Sequence, residues 1–153
     1  MTGGKRRFGR GILRQQQGGV TLELALIVPV LMMLVFGIVD FGHAWYMKQE
    51  ITTASREGAR YATRYQSDTL GKHVTPPSLL PVSTWVTSNY STLLPSDANL
   101  TVTPSGPGLT SGLPGDDLTV TVTARKNWFV VGALIPGLGN YLDLTGRTTM
   151  KVE

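Results

Sequence analysis

Three hydrophobic patterns follow one another along the chain. From Val20 to Val39 apolar residues run almost unbroken, twenty positions with Glu23 as the one charge. Wound as an α-helix, such a run rises about 30 Å, the thickness of a bilayer's hydrocarbon core. Beyond Asp40 the pattern turns periodic. Phe41, Trp45, Ile51, Ala54, Gly58, Tyr61, Ala62 and Tyr65 fall mostly at three- and four-residue spacing, as on one face of a helix. No proline lies between Pro29 and Pro76, so one helix is predicted from about Val20 to about Tyr65, near 70 Å long. The prolines of "HVTPPSLLPVSTW" then break it. Ser83 is placed to cap a short second helix, with Val82, Trp85, Val86, Tyr90 and Leu93 on one face. "NLTVTP" and "DLTVTVTAR" alternate apolar residues with threonine, the period of half-buried strands. "SGPGLTSGLPGDD" between them is a turn-rich connector, and "TTMKVE" reads as a last, short strand. "NWFVVGALIPGLG" is apolar but too interrupted for a second crossing. It is read as a core segment in preference to a hydrophobic surface for a partner.

These elements predict an α+β protein: a long N-terminal helix, half in the membrane and half projecting, carrying a small head with a short helix and an antiparallel sheet. The boundaries are a basic leader over 1–18, a transmembrane helix over 19–39, its extracytoplasmic extension over 40–66, and a head over 67–153. An 87-residue head without disulfides is a marginal core on its own. The outer half of the long helix is therefore expected to complete it by lying against the sheet. Pro29 removes one backbone donor inside the span and is expected to bend the helix, setting its packing against partner helices.

Charge orients the span. Net charge is +4, but Lys5, Arg6, Arg7, Arg10 and Arg14 all precede Gly18 with no acid among them. The remaining nine basic residues face ten acidic ones, so the basic character belongs to the leader. A nucleic-acid-binding tail would use such a cluster, but an apolar span follows directly, and the positive-inside rule then puts the N-terminus in the cytoplasm and the head outside. Trp45-Tyr46 suits the membrane interface. A buried core helix and a secretory signal peptide with Gly42-His43-Ala44 as its cleavage site are the rival readings. Sixteen uncharged residues behind a basic cluster argue against the first, and the length of the run and the position of Asp40 against the second.

Candidate chemistry is sparse. The chain has no cysteine, which excludes a structural disulfide, a zinc–thiolate site and a thiol nucleophile. His43 and His73 sit in no motif that would orient a nucleophile or a metal. Asp116-Asp117 follows a turn glycine. The stretch from Ala133 to Asn140 contains glycines but lacks the Lys and Ser/Thr of a phosphate loop. Asn89-Tyr90-Ser91 and Asn99-Leu100-Thr101 match glycosylation acceptors, a pattern frequent by chance. No catalytic constellation, cofactor site or metal site is expected. Arg56, Arg60 and Arg64 form a basic stripe at i, i+4 and i+8, and Glu57 can pair with Arg60 or with a neighbouring chain. A solvated helix face is the plainer reading of that stripe.

A basic leader, a glycine, a glutamate five residues later and a long apolar helix together resemble type IV pilin-like precursors. "TLELALIVPVLMMLVFGIVDFG" followed by "ITTASREGARYAT" is much closer to one branch, the TadE-like pseudopilins of the tight-adherence (Tad, or Flp) pilus system. The matching residues are Gly18, Glu23, Pro29, Gly37 and the block Ala54-Ser55-Arg56-Glu57-Gly58-Ala59-Arg60. Leu24 follows the glutamate, where Tad-type pilins usually carry Phe or Tyr. The resemblance covers the N-terminal half closely and the head loosely.

The resemblance implies a minor pseudopilin: a non-catalytic, single-pass protein of the bacterial inner membrane that serves pilus assembly, and with it adhesion and biofilm formation. It implies processing by a prepilin peptidase after Gly18, leaving Gly19 as the new N-terminus and Glu23 as the fifth residue. Glu23 then lies one helical turn from a new positive amine, in the same chain or a neighbour, and is favoured by the helix dipole. Pro29, Gly37, Arg56, Glu57, Gly58 and Arg60 are the expected helix-packing and assembly positions. The implied partners are the peptidase, other Tad minor pseudopilins, the major Flp pilin, inner-membrane platform proteins and the bilayer, with no nucleic acid. A major pilin is a poorer match because those are little more than the helix. The rival of another class is a membrane-anchored extracytoplasmic binding or enzymatic domain with an uncleaved anchor.

Overall fold

A computed structural model describes residues 13–64, 66–67, 73–74, 81–135 and 137–153. The prolines at 76 and 77 and the basic residues of the leader before Leu13 lie outside this set. Helix α1, Leu13–Thr63, is one element of 51 residues that includes Pro29 and ends with Arg60 in its last turn. A cation there complements the helix dipole. From Gly19 to Val39 no residue of α1 is buried; Leu22 is 74 % exposed. This part is long and apolar enough to cross a membrane. From Asp40 onward one face closes: Asp40, Ala44, Met47, Ile51, Ala54, Ser55, Gly58, Ala59 and Ala62 are all buried. Their three- and four-residue spacing keeps them on one stripe of the helix.

That stripe lies on an antiparallel sheet of β3 (Thr101–Ser105), β4 (Asp117–Asn127) and β5 (Tyr141–Lys151), with β4 in the middle. A separate two-residue pair, β1 (Gln66–Ser67) and β2 (His73–Val74), follows α1. β4 and β5 pair over their full eleven residues, from Asp117 opposite Lys151 to Asn127 opposite Tyr141. Alternation along β4 sends Leu118, Val120, Val122 and Ala124 under α1. The other face carries threonines, with Thr119 and Thr149 hydroxyls 2.7 Å apart across the strands. Helix α2, Val82–Tyr90, adds Val82 and Val86 to the core, and Tyr61 of α1 stacks on Trp85 at 4.7 Å between ring centroids. The result is the expected α+β architecture, with the outer half of α1 as the helical layer of the head.

Four expectations need correction. Pro81, not Ser83, sits at the N-cap of α2, and its carbonyl accepts the first helical bond from the Trp85 N–H at 3.0 Å. Proline serves there because that position needs no donor and its ring presets φ. Leu93 falls in a 3₁₀ turn, Ser91–Leu93, and is exposed. The last strand begins at Tyr141, well before "TTMKVE", because Leu142 and Leu144 already alternate with Asp143 in register with β4. Gly146 hides that continuity in the sequence: it interrupts the apolar alternation. It does so because a Cβ there would come within 2.6 Å of the Ile51 carbonyl oxygen of α1. Finally, the 128–138 segment is not core. It loops off the end of β4 through a single turn, α3 (Val131–Leu134), and leaves Phe129 67 % and Ile135 50 % exposed.

Candidate functional site: the membrane boundary and the helix seat

Where the apolar span ends, the head meets α1 at a buried charge. Asp40 is the first buried position beyond the apolar span, and Lys126 is the last inward-facing position of β4. The two side chains are each 1 % exposed, with Lys126 Nζ 3.1 Å from Asp40 Oδ1. Three backbone N–H groups converge on the same carboxylate: Phe129 donates to Oδ1 at 3.0 Å, and Val130 and Val131 donate to Oδ2 at 3.0 and 3.1 Å. Lys126 also donates to the Asn127 carbonyl and lies 4.3 Å from the centre of the Phe129 ring. Burial by itself would raise the Asp40 pKa. The three amides and the lysine outweigh that and hold its carboxyl well below the ordinary carboxylate range. An ion pair in such a place stabilises only when its remaining lone pairs are satisfied, and here four donors saturate one carboxylate. Asp40 thereby ties α1, the end of β4 and the α3 turn together. His43, one turn along α1, stacks on Phe129 at 5.4 Å; its Nδ1 and the Trp128 indole nitrogen are buried and have no hydrogen-bond partner among the described residues.

The second feature is the block from Ala54 to Arg60. Ala54, Ser55, Gly58 and Ala59 face the head and are buried, whereas Arg56 and Arg60 point to solvent and Glu57 is half-buried. Small residues let the helix sit close: a Cβ on Gly58 would come within 2.6 Å of Val86 Cγ2 and 3.3 Å of Val120 Cγ1. Ser55 spends its hydroxyl on the Thr52 carbonyl at 2.8 Å and on the Thr148 hydroxyl at 2.8 Å, so it bridges α1 to β5. Gly58 is therefore a packing residue within this chain. Among the described residues no ion pair joins Glu57 to Arg60, and the arginines remain outward and free for solvent or a partner.

The remaining expected positions lie along the span. Gly18 and Gly19 are helical, inside the first turns of α1. Glu23 is exposed, and among the described residues its carboxylate has no hydrogen-bond or ion-pair partner. Pro29 is exposed, and Gly37 has open space where a side chain would stand. The structure thus brings together Asp40, Lys126 and the 129–131 amides. It leaves Glu23 and Pro29 on a bare apolar rod, sets Gly37 beside an open groove against the head, and turns the small residues of the 54–60 block inward and its arginines outward. Asp40 and Lys126 were not expected as a pair. The available signal was the strand period: Leu118, Val120, Val122 and Ala124 continue to Lys126, a charge on the core side that needs a partner.

No curated protein and no solved structure matches the chain. A family model described as "TadE-like protein" matches residues 18–60, from the glycine pair through the apolar span to the end of the small-residue block. The matched stretch is thus most of the helix, both its exposed span and its seat on the sheet, and over residues 18–60 the chain is similar to the TadE-like family.

Proposed function

We propose that the protein is a minor pseudopilin, a membrane-anchored, non-catalytic component of Tad-type pilus assembly, held in the bacterial inner membrane with its N-terminus in the cytoplasm and its head outside. The observation that carries this reading is that the TadE-like match over 18–60 coincides with the one helix that joins an unpartnered glutamate to the head. On this reading a prepilin peptidase cuts after Gly18. That bond lies within α1, and the peptidase must open the helix to reach it. Two adjacent glycines make this easy, since each costs a helix about 1 kcal/mol relative to alanine. Cleavage places a new ammonium group at Gly19, one turn from Glu23, and supplies a positive partner that the carboxylate lacks among the described residues. Other minor pseudopilins, the major pilin and the platform proteins of the membrane are the partners it would meet. Arg56, Arg60 and Glu57 are the polar contacts it offers beyond the bilayer.

Intact-mass measurement on protein extracted from cells with and without the peptidase tests this. The expected mature chain lacks residues 1–18 only where the peptidase is present. A chain that keeps Met1 in both strains, or that starts at Trp45, contradicts the reading, and the second result identifies a secretory signal peptide instead.

A further inference from the structure

We propose that residues 128–138 form a second membrane contact, an apolar lobe that beds in the lipid leaflet on the head's side of the bilayer. The proposal rests on reading Val20–Val39 as membrane-spanning. A groove of about 300 Å³ separates the lobe from α1, lined by Met33, Gly37 and Phe41 on one wall and Trp128, Val131 and Ile135 on the other. Met33 lies six residues inside the end of the span, about 9 Å along the helix axis. All twenty residues of the span are needed to cover about 30 Å of hydrocarbon, so Met33 cannot be lifted clear of it. Whatever stands beside Met33 stands at membrane depth.

The lobe has the chemistry for that position. From Trp128 to Leu142 the chain carries no charge. Phe129, Ile135 and Leu138 are exposed apolar side chains that water would penalise. Hydrocarbon also requires that backbone donors be paired internally. The amides of 129, 130 and 131 donate to the Asp40 carboxylate. Those of Trp128, Ala133, Ile135 and Leu138 donate to the carbonyls of Asn140, Val130, Val131 and Ile135. Asp40 thus closes the donors of a turn too short to close its own. Just above, Arg125 lies 3.9 Å from the centre of the Tyr141 ring and bonds Asp143 at 3.0 Å, an aromatic and charged collar suited to the headgroup level. The bare lower half of α1 is continuous with this surface, which argues for lipid as the occupant over a protein partner.

The absence of native cysteine allows a direct test on the full-length protein. Leu31→Cys, Ile135→Cys, Leu138→Cys and Arg56→Cys change exposed side chains. Each variant is labelled with an environment-sensitive fluorophore in vesicles of phosphatidylcholine and phosphatidylglycerol, and quenched with lipids brominated at set depths or with aqueous iodide. The proposal expects labels at 135 and 138 to shift to the blue, to be quenched by shallow bromines as the Leu31 label is by deeper ones, and to resist iodide. The Arg56 label should behave oppositely. Iodide quenching at 135 and 138 with Leu31 protected overturns the lobe while leaving the span intact. Iodide quenching at Leu31 as well overturns both. Protection of 135 and 138 from both quenchers, lost when protein is diluted in lipid, also overturns the proposal and assigns the surface to a neighbouring subunit.

Discussion

At the residue scale, Asp40 and Lys126 depend on each other unequally. Removing Lys126 leaves Asp40 with three amide donors. Removing Asp40 strips those amides of their acceptor and leaves a buried ammonium with one carbonyl and the faces of two rings. Breaking a buried pair from one side costs about 3–5 kcal/mol. Asp40→Ala should fall in that range, Lys126→Met should cost clearly less, and Lys126→Met should recover part of the loss when added to Asp40→Asn. Unfolding of the detergent-solubilised protein, followed by tryptophan fluorescence, measures all three; equal costs for the two single variants would contradict the asymmetry. The same carboxyl sets an acid limit. Its folded pKa is depressed relative to about 3.9 in an unfolded chain. Its contribution to stability is therefore complete above about pH 4 and is lost as pH falls further toward the folded value, because below about pH 4 the unfolded chain binds a proton that the folded one refuses. Acid unfolding of the wild type should be steeper below about pH 4 than that of the Asp40→Asn/Lys126→Met double variant.

At the element scale, α1 is held to the sheet by closeness, and two glycines set the distance. Gly146 of β5 faces the backbone of Ile51 and Thr52, atoms that cannot move without lifting the helix. Gly58 of α1 faces the end of the Val86 side chain, which can yield slightly. Overpacking a core costs about 1–3 kcal/mol. For Gly58→Ala that cost is offset by about 1 kcal/mol of helix propensity, and for Gly146→Ala by no such gain. Gly146→Ala should thus lower the melting temperature more than Gly58→Ala, and Val86→Ala should relieve only the second. The helix and strands β3 and β4 were legible in the sequence because each repeats a local period, and the connector between the strands because it is rich in turn residues. The small-residue block was legible as a family feature and, from its spacing, as part of the apolar helix face, with Arg60 on the opposite stripe; what the sheet adds is how closely Gly58 packs on Val86 and Val120. Two things stayed hidden. The early half of β5 was masked by Gly146, whose reason lies on another element. The Asp40–Lys126 bond joins residues 86 positions apart, and no local pattern reports such a contact.

At the scale of the whole molecule, the proposed function makes the span an anchor, and Glu23 tests whether it does more. As a cap of its own helix alone, Glu23 would lose at most about 1 kcal/mol on replacement by glutamine. As the partner of an ammonium group on a neighbouring subunit in lipid, its loss leaves a buried charge uncompensated at about 3–5 kcal/mol. Glu23→Gln should then be inserted and cleaved at wild-type levels yet fail to crosslink to its assembly partners and fail to restore pili to a deletion strain. Full piliation would sink the inter-subunit role. The unbroken run of α1 from Leu13 to Thr63 gives this a geometric edge. The chain stays helical from the glutamate to the residues that grip the sheet, so on the membrane-spanning reading the compass bearing of the head about the membrane normal follows that of Glu23. Each residue advances a helix by about 100°. A single residue inserted between Glu23 and Asp40 would therefore swing the head by more than a quarter turn while lengthening the span by only about 1.5 Å. Anchoring would barely register the change, whereas an assembly that docks span and head together would find one of them facing the wrong way.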